Sequence, residues 1–258
     1  MNIKQLAFVV YMSATPFQLF ADCIKGPIIV SGKEAYPPIS FTKDGQLIGL
    51  GYSVLNEIAQ SQGLDINVTA PTPWKRVVNK GRLGEVDIVI GLRGTSLSGD
   101  NFVFLPTPII ESAQNIFSLK GKNLQTKEDL KGLTGGILSG TTFTQEFEAY
   151  AKENLTITQV RTAEQNLLKL KAGRIDYFIA PLLPTIHLIE TTEMKIDIKF
   201  TPKPLFLVRE SLAISKKSNC IKKQELFEKA LATLSKNGYI DDQFDVFSSD
   251  WNVLDYMR

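Results

Sequence analysis

The chain has 258 residues, 43% of them hydrophobic and 22% charged, with a formal net charge of +2. That length and apolar share supply the core of one or two globular domains. The near-neutral balance, without a long basic run, argues against a nucleic-acid partner. Two cysteines and one histidine suggest neither a metal site nor a CxxC redox pair.

Residues 1–21 read as a signal peptide. Lys4 gives a positive start, "LAFVVYMSATPFQLFA" supplies the apolar run, and Ala21 is a small residue before the expected cleavage. Pro16 and the short run fit a membrane span poorly. A buried N-terminal helix is the bland alternative. The expected product is periplasmic and starts near Asp22. Asp22 directly before Cys23 is a poor fit to lipid attachment, so a soluble product is expected. Cys23 and Cys220 could pair in an oxidising compartment, and the sequence leaves that open.

"GPIIVSG" is a short buried strand. "YPPISFTKDGQLIG" follows as a loop and hairpin turning at Asp44-Gly45. Val54, Leu55, Ile58 and Ala59 recur at helical spacing, and Gly63 is a stop signal. "LDINVTA" alternates as a strand does. "PTPWKRVVNKG" opens a helix near Pro73, with Trp74, Val77 and Val78 on one side. "EVDIVIG" is a strand apolar enough to be buried on both faces.

The second half repeats this order. "LTGGILSG" is a strand and "TTFTQEFEAYAKEN" a helix with its start near Thr141 and Thr142. "LTITQV" is a strand, "TAEQNLLKLKAG" a helix capped by Thr162, and "IDYFIA" a strand. "PTIHLIE" begins another helix. Gln114–Leu119 is expected as the extended crossover between the halves. "PKPLFLVRESLAISKKSN" returns as a pair of strands. A helix follows with Leu226, Ala230 and Leu234 on its stripe, and the tail forms one or two short helices. The fold class is therefore α/β, with two units of similar size and a cleft between them as the default ligand site. The expected division is 22–112 for a first lobe, 113–205 for a second with the crossover, and 206–258 for return strands and C-terminal helices.

The segments "SGKEAYPPISFTKDGQLIGLGYSVLNEIAQSQG", "PTPWKRVVNKGRLGEVDIVIG", "FLPTPI", "LKGLTGGILSGTTFTQEF" and "LLKLKAGRIDYFIA" together resemble the bacterial extracellular solute-binding proteins of family 3, the polar amino-acid receptors of ABC importers. The resemblance implies a two-lobed, type II periplasmic-binding-protein fold, no cofactor, a monomer, and a membrane permease as partner.

It also implies site residues. Tyr36 and Trp74 would lie on the solute's apolar part, with Lys75 and Arg76 just behind Trp74. The hydroxyl-rich turn after "DIVIG" is matched by Thr95, Ser96, Leu97 and Ser98, and Thr95 is a contact candidate. Ser98 stands where the family places a carboxylate-clamping arginine. Gly140, Thr141 and Thr142 match its Gly-Thr-Thr, and Pro181 falls where many members hold an ammonium with an aspartate. Losing such ionic partners costs a zwitterion roughly 2–5 kcal/mol per clamp. Arg93, on the same loop, is expected to compensate, with Arg76 as a second candidate. The solute expected is small, polar and anionic or amino-acid-like. For Arg93 the bland alternative is a surface salt bridge with Asp100.

Three other functions compete. The same fold carries cyclohexadienyl-dehydratase-like hydrolyases, for which Glu34 and Glu111 are the candidate acid-base groups. No serine elbow accompanies His187 and no Walker loop is present, so no enzyme is expected. A receptor that closes on a solute and touches a membrane sensor is the second. A scaffold that has lost its solute is the third. Asp87 and Asp176, each in a Gly-x-x-Asp pattern before a strand, are expected to be structural.

Overall fold

The computed structural model describes residues 26–93, 99–141, 143–192 and 197–248. The expected signal peptide, Cys23, Thr95, Ser98 and Thr142 lie outside them. Within them the chain builds two α/β units with the same internal plan.

The first unit runs β1 (Ile28–Gly32), a small antiparallel hairpin sheet of β2 (Ala35–Tyr36), β3 (Ser40–Lys43) and β4 (Gln46–Ile48), α1 (Leu50–Ser61), β5 (Ile66–Val68), α2 (Trp74–Leu83), β6 (Ile88–Ile90) and β7 (Phe102–Phe104). The second runs from the long β8 (Ile110–Leu119) through β9 (Thr134–Leu138), α3 (Gln145–Asn154), β10 (Thr156–Val160), α4 (Ala163–Lys171), β11 (Tyr177–Pro181), α5 (Leu182–Thr191) and β12 (Ile198–Phe200). The return path is β13 (Phe206–Glu210), β14 (Leu212–Ser215), α6 (Gln224–Lys236) and α7 (Tyr239–Ser248).

The first sheet has the order β5-β1-β6-β14-β7, and the second β10-β9-β11-β8-β12 with β13 also on β8. In each, three parallel strands wound in the same order are followed by an antiparallel neighbour, β14 against β6 and β8 against β11. The same carboxylate device anchors both. The Asp87 N–H donates to the Ile29 carbonyl at 2.8 Å, and its side chain accepts the Ile29 N–H at 2.7 Å. The Asp176 N–H donates to the Thr134 carbonyl at 2.7 Å, and its side chain accepts the Thr134 N–H at 2.8 Å. Both aspartates thus hold the neighbouring parallel strand in register.

Apolar side chains cover both faces of each sheet. Ile28, Val30, Ile88 and Ile90 pack against Leu55 and Ile58 of α1 and against Phe227, Leu231 and Ile240 of the last two helices. Val77, Val89 and Phe102 fill the other face. In the second sheet, Ile137, Phe147 and Ile179 lie on one side, and Phe117, Leu167, Leu170, Phe178 and Ile186 on the other. Phe117 and Phe178, opposed in register, stack with centroids 4.9 Å apart. Gly135 is required beside Tyr177, because a Cβ there would sit 2.4 Å from the Tyr177 ring.

Several local expectations are corrected. Gln114–Leu119 is not the crossover but the C-terminal part of β8, paired with β11, β12 and β13. Its polar residues look like a connecting segment in sequence, yet they are buried, and their amide N–H groups are hydrogen-bonded: Asn115 Nδ2 donates to the Thr201 carbonyl at 2.7 Å and Gln114 Nε2 to Ser112 Oγ at 3.2 Å. The chain passes between the sheets at 105–109 and again at Ser211. The Leu105 N–H donates to the Leu212 carbonyl at 3.0 Å and the Ile109 N–H to the Glu210 carbonyl at 2.7 Å, so the two passages run side by side. The two return strands do not pair with each other, since β13 joins β8 and β14 joins β6 and β7. On α6 the buried positions are Phe227 and Leu231, and Leu226 is exposed, because it falls one residue off the stripe. The helix expected near Thr141 starts at Gln145, where Thr144 is the N-cap and accepts the Phe147 N–H at 3.2 Å.

Candidate functional site

The carboxyl ends of parallel strands are where an open α/β sheet presents loops to a ligand. In the first unit three such ends converge. Lys33 and Tyr36 follow β1, Trp74 opens α2 after β5, and Arg93 follows β6. In the second unit, Thr141 follows β9 and Pro181 ends β11 as the N-cap of α5. A cavity of about 400 Å³ lies between the units, lined by Arg93, Phe104, Pro106 and Pro108 from one and by Phe143, Thr144, Leu207 and Arg209 from the other.

Tyr36 is the centre of the cluster and is buried. Its hydroxyl donates to Glu210 Oε1 at 2.6 Å and lies 3.4 Å from Ser112 Oγ. Arg93 Nε donates to the same Glu210 oxygen at 2.9 Å, and Arg93 Nη2 donates to the Tyr36 hydroxyl at 2.7 Å. The ion pair is deeply enclosed, with side chains 11% exposed at Arg93 and 1% at Glu210. Burial by itself would lower the guanidinium pKa. The Tyr36 hydroxyl and the Glu210 carboxylate outweigh that, so it is raised and the charge is fixed. Burial, reinforced by Glu210, raises the Tyr36 phenol and keeps it neutral.

The bland alternative for Arg93, a surface salt bridge with Asp100, is therefore corrected. The partner of Arg93 is Glu210, the last residue of β13, at one of the two passages between the sheets. Glu210 lies within the expected return strands and carries no short motif, so no local signal in sequence pairs it with Arg93.

Lys33 is the cation that sequence reasoning overlooked. It is half-buried, and its Nζ lies 4.0 Å from the Tyr36 ring centroid and 5.2 Å from that of Trp74. Both are cation–π distances. Burial lowers its ammonium to about 8 against the opposing Glu210 carboxylate, with Arg93 adding to the fall. Its position in "SGKEAYPP", between the strand end and the aromatic, is the sequence signal that points to it.

Among the other expected contacts, Trp74 is half-buried beside Lys33, and Arg76 is exposed on α2, outside the hydrogen-bonded cluster. The Thr141 N–H donates to the Leu138 carbonyl at 3.0 Å. Near the start of α3, the Phe143 N–H is taken by Glu148 at 3.0 Å. Glu34 and Glu111 are both exposed and have no side-chain partner among the described residues. No group of His, Cys, Asp and Glu that could hold a metal ion occurs among the described residues.

Two α/β lobes joined by two adjacent passages, with aromatic and charged groups at the strand ends between them, define a two-lobed binding protein of the type II periplasmic fold. The chain belongs to the bacterial extracellular solute-binding proteins, family 3, whose family model matches residues 28–247. A probable histidine-binding protein of Campylobacter jejuni is 28% identical over 146 residues, which cover 56% of this chain and 56% of that relative's length. An ancestral arginine-binding protein bound to arginine superposes with a TM-score of 0.70 at 23% identity, covering 86% of this chain and 98% of its own. A histidine kinase sensor domain with similarity to periplasmic binding proteins does so with a TM-score of 0.71 at 20% identity, covering 88% and 96%. At such identities these structures establish the shared fold.

Proposed function

We propose that the protein is an extracytoplasmic receptor that closes its two lobes on a small polar solute bearing an anionic group and delivers it to an ABC permease. The observation that carries this reading is the charge at the strand ends. Lys33 and Arg93 face Tyr36 with Glu210 as their neighbouring carboxylate, so one positive charge is unbalanced beside two aromatic faces. Tyr36, Trp74 and Lys33 supply the first lobe's contacts. Arg93 holds Tyr36 in place and faces the cavity, while Thr95, Thr141 and Thr142 are the remaining contacts and Arg76 an outer cation. Residues 1–21 serve as a cleaved export signal, and the mature protein is a monomer without catalytic activity. The relative and the neighbour described above as histidine- and arginine-binding support an amino-acid-like solute.

The test is a thermal-shift screen on protein unfolded and refolded to strip carried-over solute. Its library holds amino acids, dicarboxylates, short peptides, sugars, polyamines and inorganic anions. A ligand specific for the folded form raises the melting temperature by mass action. A shift by an acidic solute supports the reading, and silence across the library removes it. The shared fold of the kinase sensor domain favours a second reading, in which the closed form touches a membrane sensor. Binding of the closed protein to a reconstituted permease, with stimulation of its ATP hydrolysis, separates the two.

A further inference from the structure

The faces of Tyr36 and Trp74 form a place where a cation is favoured, and the chain's own Lys33 ammonium stands there, 4.0 and 5.2 Å from the two centroids. Its surroundings are unusual for a half-buried lysine. No acceptor lies within hydrogen-bonding distance of Nζ among the described residues. The nearby Glu210 spends its Oε1 on Arg93 and the Tyr36 hydroxyl, and its buried Oε2 makes no hydrogen bond to Lys33. Arg93 stands over the same tyrosine, with its Cζ 5.9 Å from the centroid. A second cation brought to these rings would meet both positive groups. A carboxylate would instead accept the N–H donors of Lys33 and balance the excess charge.

We propose that Lys33 determines the solute class of this site, filling the cation position on Tyr36 and Trp74, rejecting cationic side chains and anchoring an anionic group of the solute. The inference rests on the receptor reading above and deepens it, because it names the residue and the chemistry it selects. The aromatic pair then orients the lysine, and the lysine contacts the solute. The bland alternative, a lysine that only covers Tyr36, gives no preference between acidic and basic solutes.

The experiment is isothermal titration of refolded wild-type protein, Lys33→Met and Lys33→Arg with L-glutamate, succinate, L-glutamine and L-arginine. Methionine keeps the length and removes the charge. Arginine keeps the charge and serves as the conservative rescue. Circular dichroism and the urea midpoint check that each variant is folded. In wild type, an acidic probe is expected to bind about tenfold or more tightly than arginine. Lys33→Met should lose about tenfold on the acidic probes and gain binding of arginine, while Lys33→Arg keeps the wild-type order.

A wild type that prefers arginine overturns the inference, as does a Lys33→Met variant whose ratio of glutamate to arginine binding is unchanged. If wild type binds none of the four, arginine binding that appears in Lys33→Met supports it, and continued silence overturns it. The receptor reading fails separately, through silence of the broad thermal-shift library. A sugar or other uncharged solute that binds wild type and Lys33→Met equally leaves a solute receptor standing and removes the role of Lys33.

Discussion

Removing the Glu210 side chain should be among the most damaging single changes in the protein. Its Oε1 accepts from Arg93 Nε at 2.9 Å and from the Tyr36 hydroxyl at 2.6 Å, and the carboxylate is 1% exposed. Glu210→Ala leaves an enclosed guanidinium without the Glu210 counter-charge and a buried phenol whose remaining side-chain neighbours are Arg93 Nη2 at 2.7 Å and Ser112 Oγ at 3.4 Å. Breaking one side of a buried pair costs about 3–5 kcal/mol, because the remaining charge stays desolvated. Replacing both partners with apolar groups is far milder, since it removes that charge as well. The assay is urea unfolding followed by tryptophan fluorescence for Glu210→Ala, Arg93→Leu and the double variant. The expected pattern is a large loss for Glu210→Ala and a double variant that recovers about 2 kcal/mol or more relative to the sum of the singles. A Glu210→Ala loss below about 1 kcal/mol, or strict additivity, would refute the argument that this pair is buried and coupled.

Two further perturbations probe other parts of the molecule. Lys33, lowered to about 8 by burial against the pull of Glu210 and with the push of Arg93, should make binding of an acidic solute pH-dependent. Affinity should fall as pH rises through about 8 in wild type and stay flat in Lys33→Met. The folded state also holds fewer protons on Lys33 than the unfolded state between about 8 and about 10.5, so the stability contributed by this group rises across that window. The wild-type minus Lys33→Met difference in urea midpoint measures it, and a difference that does not change with pH contradicts the assigned environment. At the strand bases, Asp87→Ala and Asp176→Ala should each cost about 1–3 kcal/mol, because the carboxylates accept the Ile29 and Thr134 N–H groups at 2.7 and 2.8 Å. Asp87 also accepts the Ser218 hydroxyl at 2.5 Å, and Asp176 is held low by its bond to Lys122 and by the Thr134 N–H. Amide exchange at Ile29 and Thr134 reads the two sites separately, and unaltered protection at both would show that the aspartates do not hold the strands.

The sequence by itself determined the alternation of strands and helices in both lobes, because period-2 and period-3.6 apolar patterns and turn pairs such as Asp44-Gly45 act locally. It also placed Tyr36, Trp74 and Arg93 at strand ends, where an α/β sheet presents its loops. Its failures share one cause. Gln114, Asn115 and Ser118 looked like a connector because what buries this strand is distant in sequence, as with Thr201, which accepts from Asn115 across 86 residues. Leu226 looked buried because the stripe of α6 is selected by the surface it packs on. The pairing of Arg93 with Glu210 was missed because Glu210 lies 117 residues later in the chain. Lys33 was overlooked because the ring of Trp74 reaches it only after β1 and β5 pair. The tertiary structure alone decided which charges neutralise each other and which cation stands on the aromatic faces, since a Coulomb or cation–π contact depends on distance through space and is blind to separation along the chain.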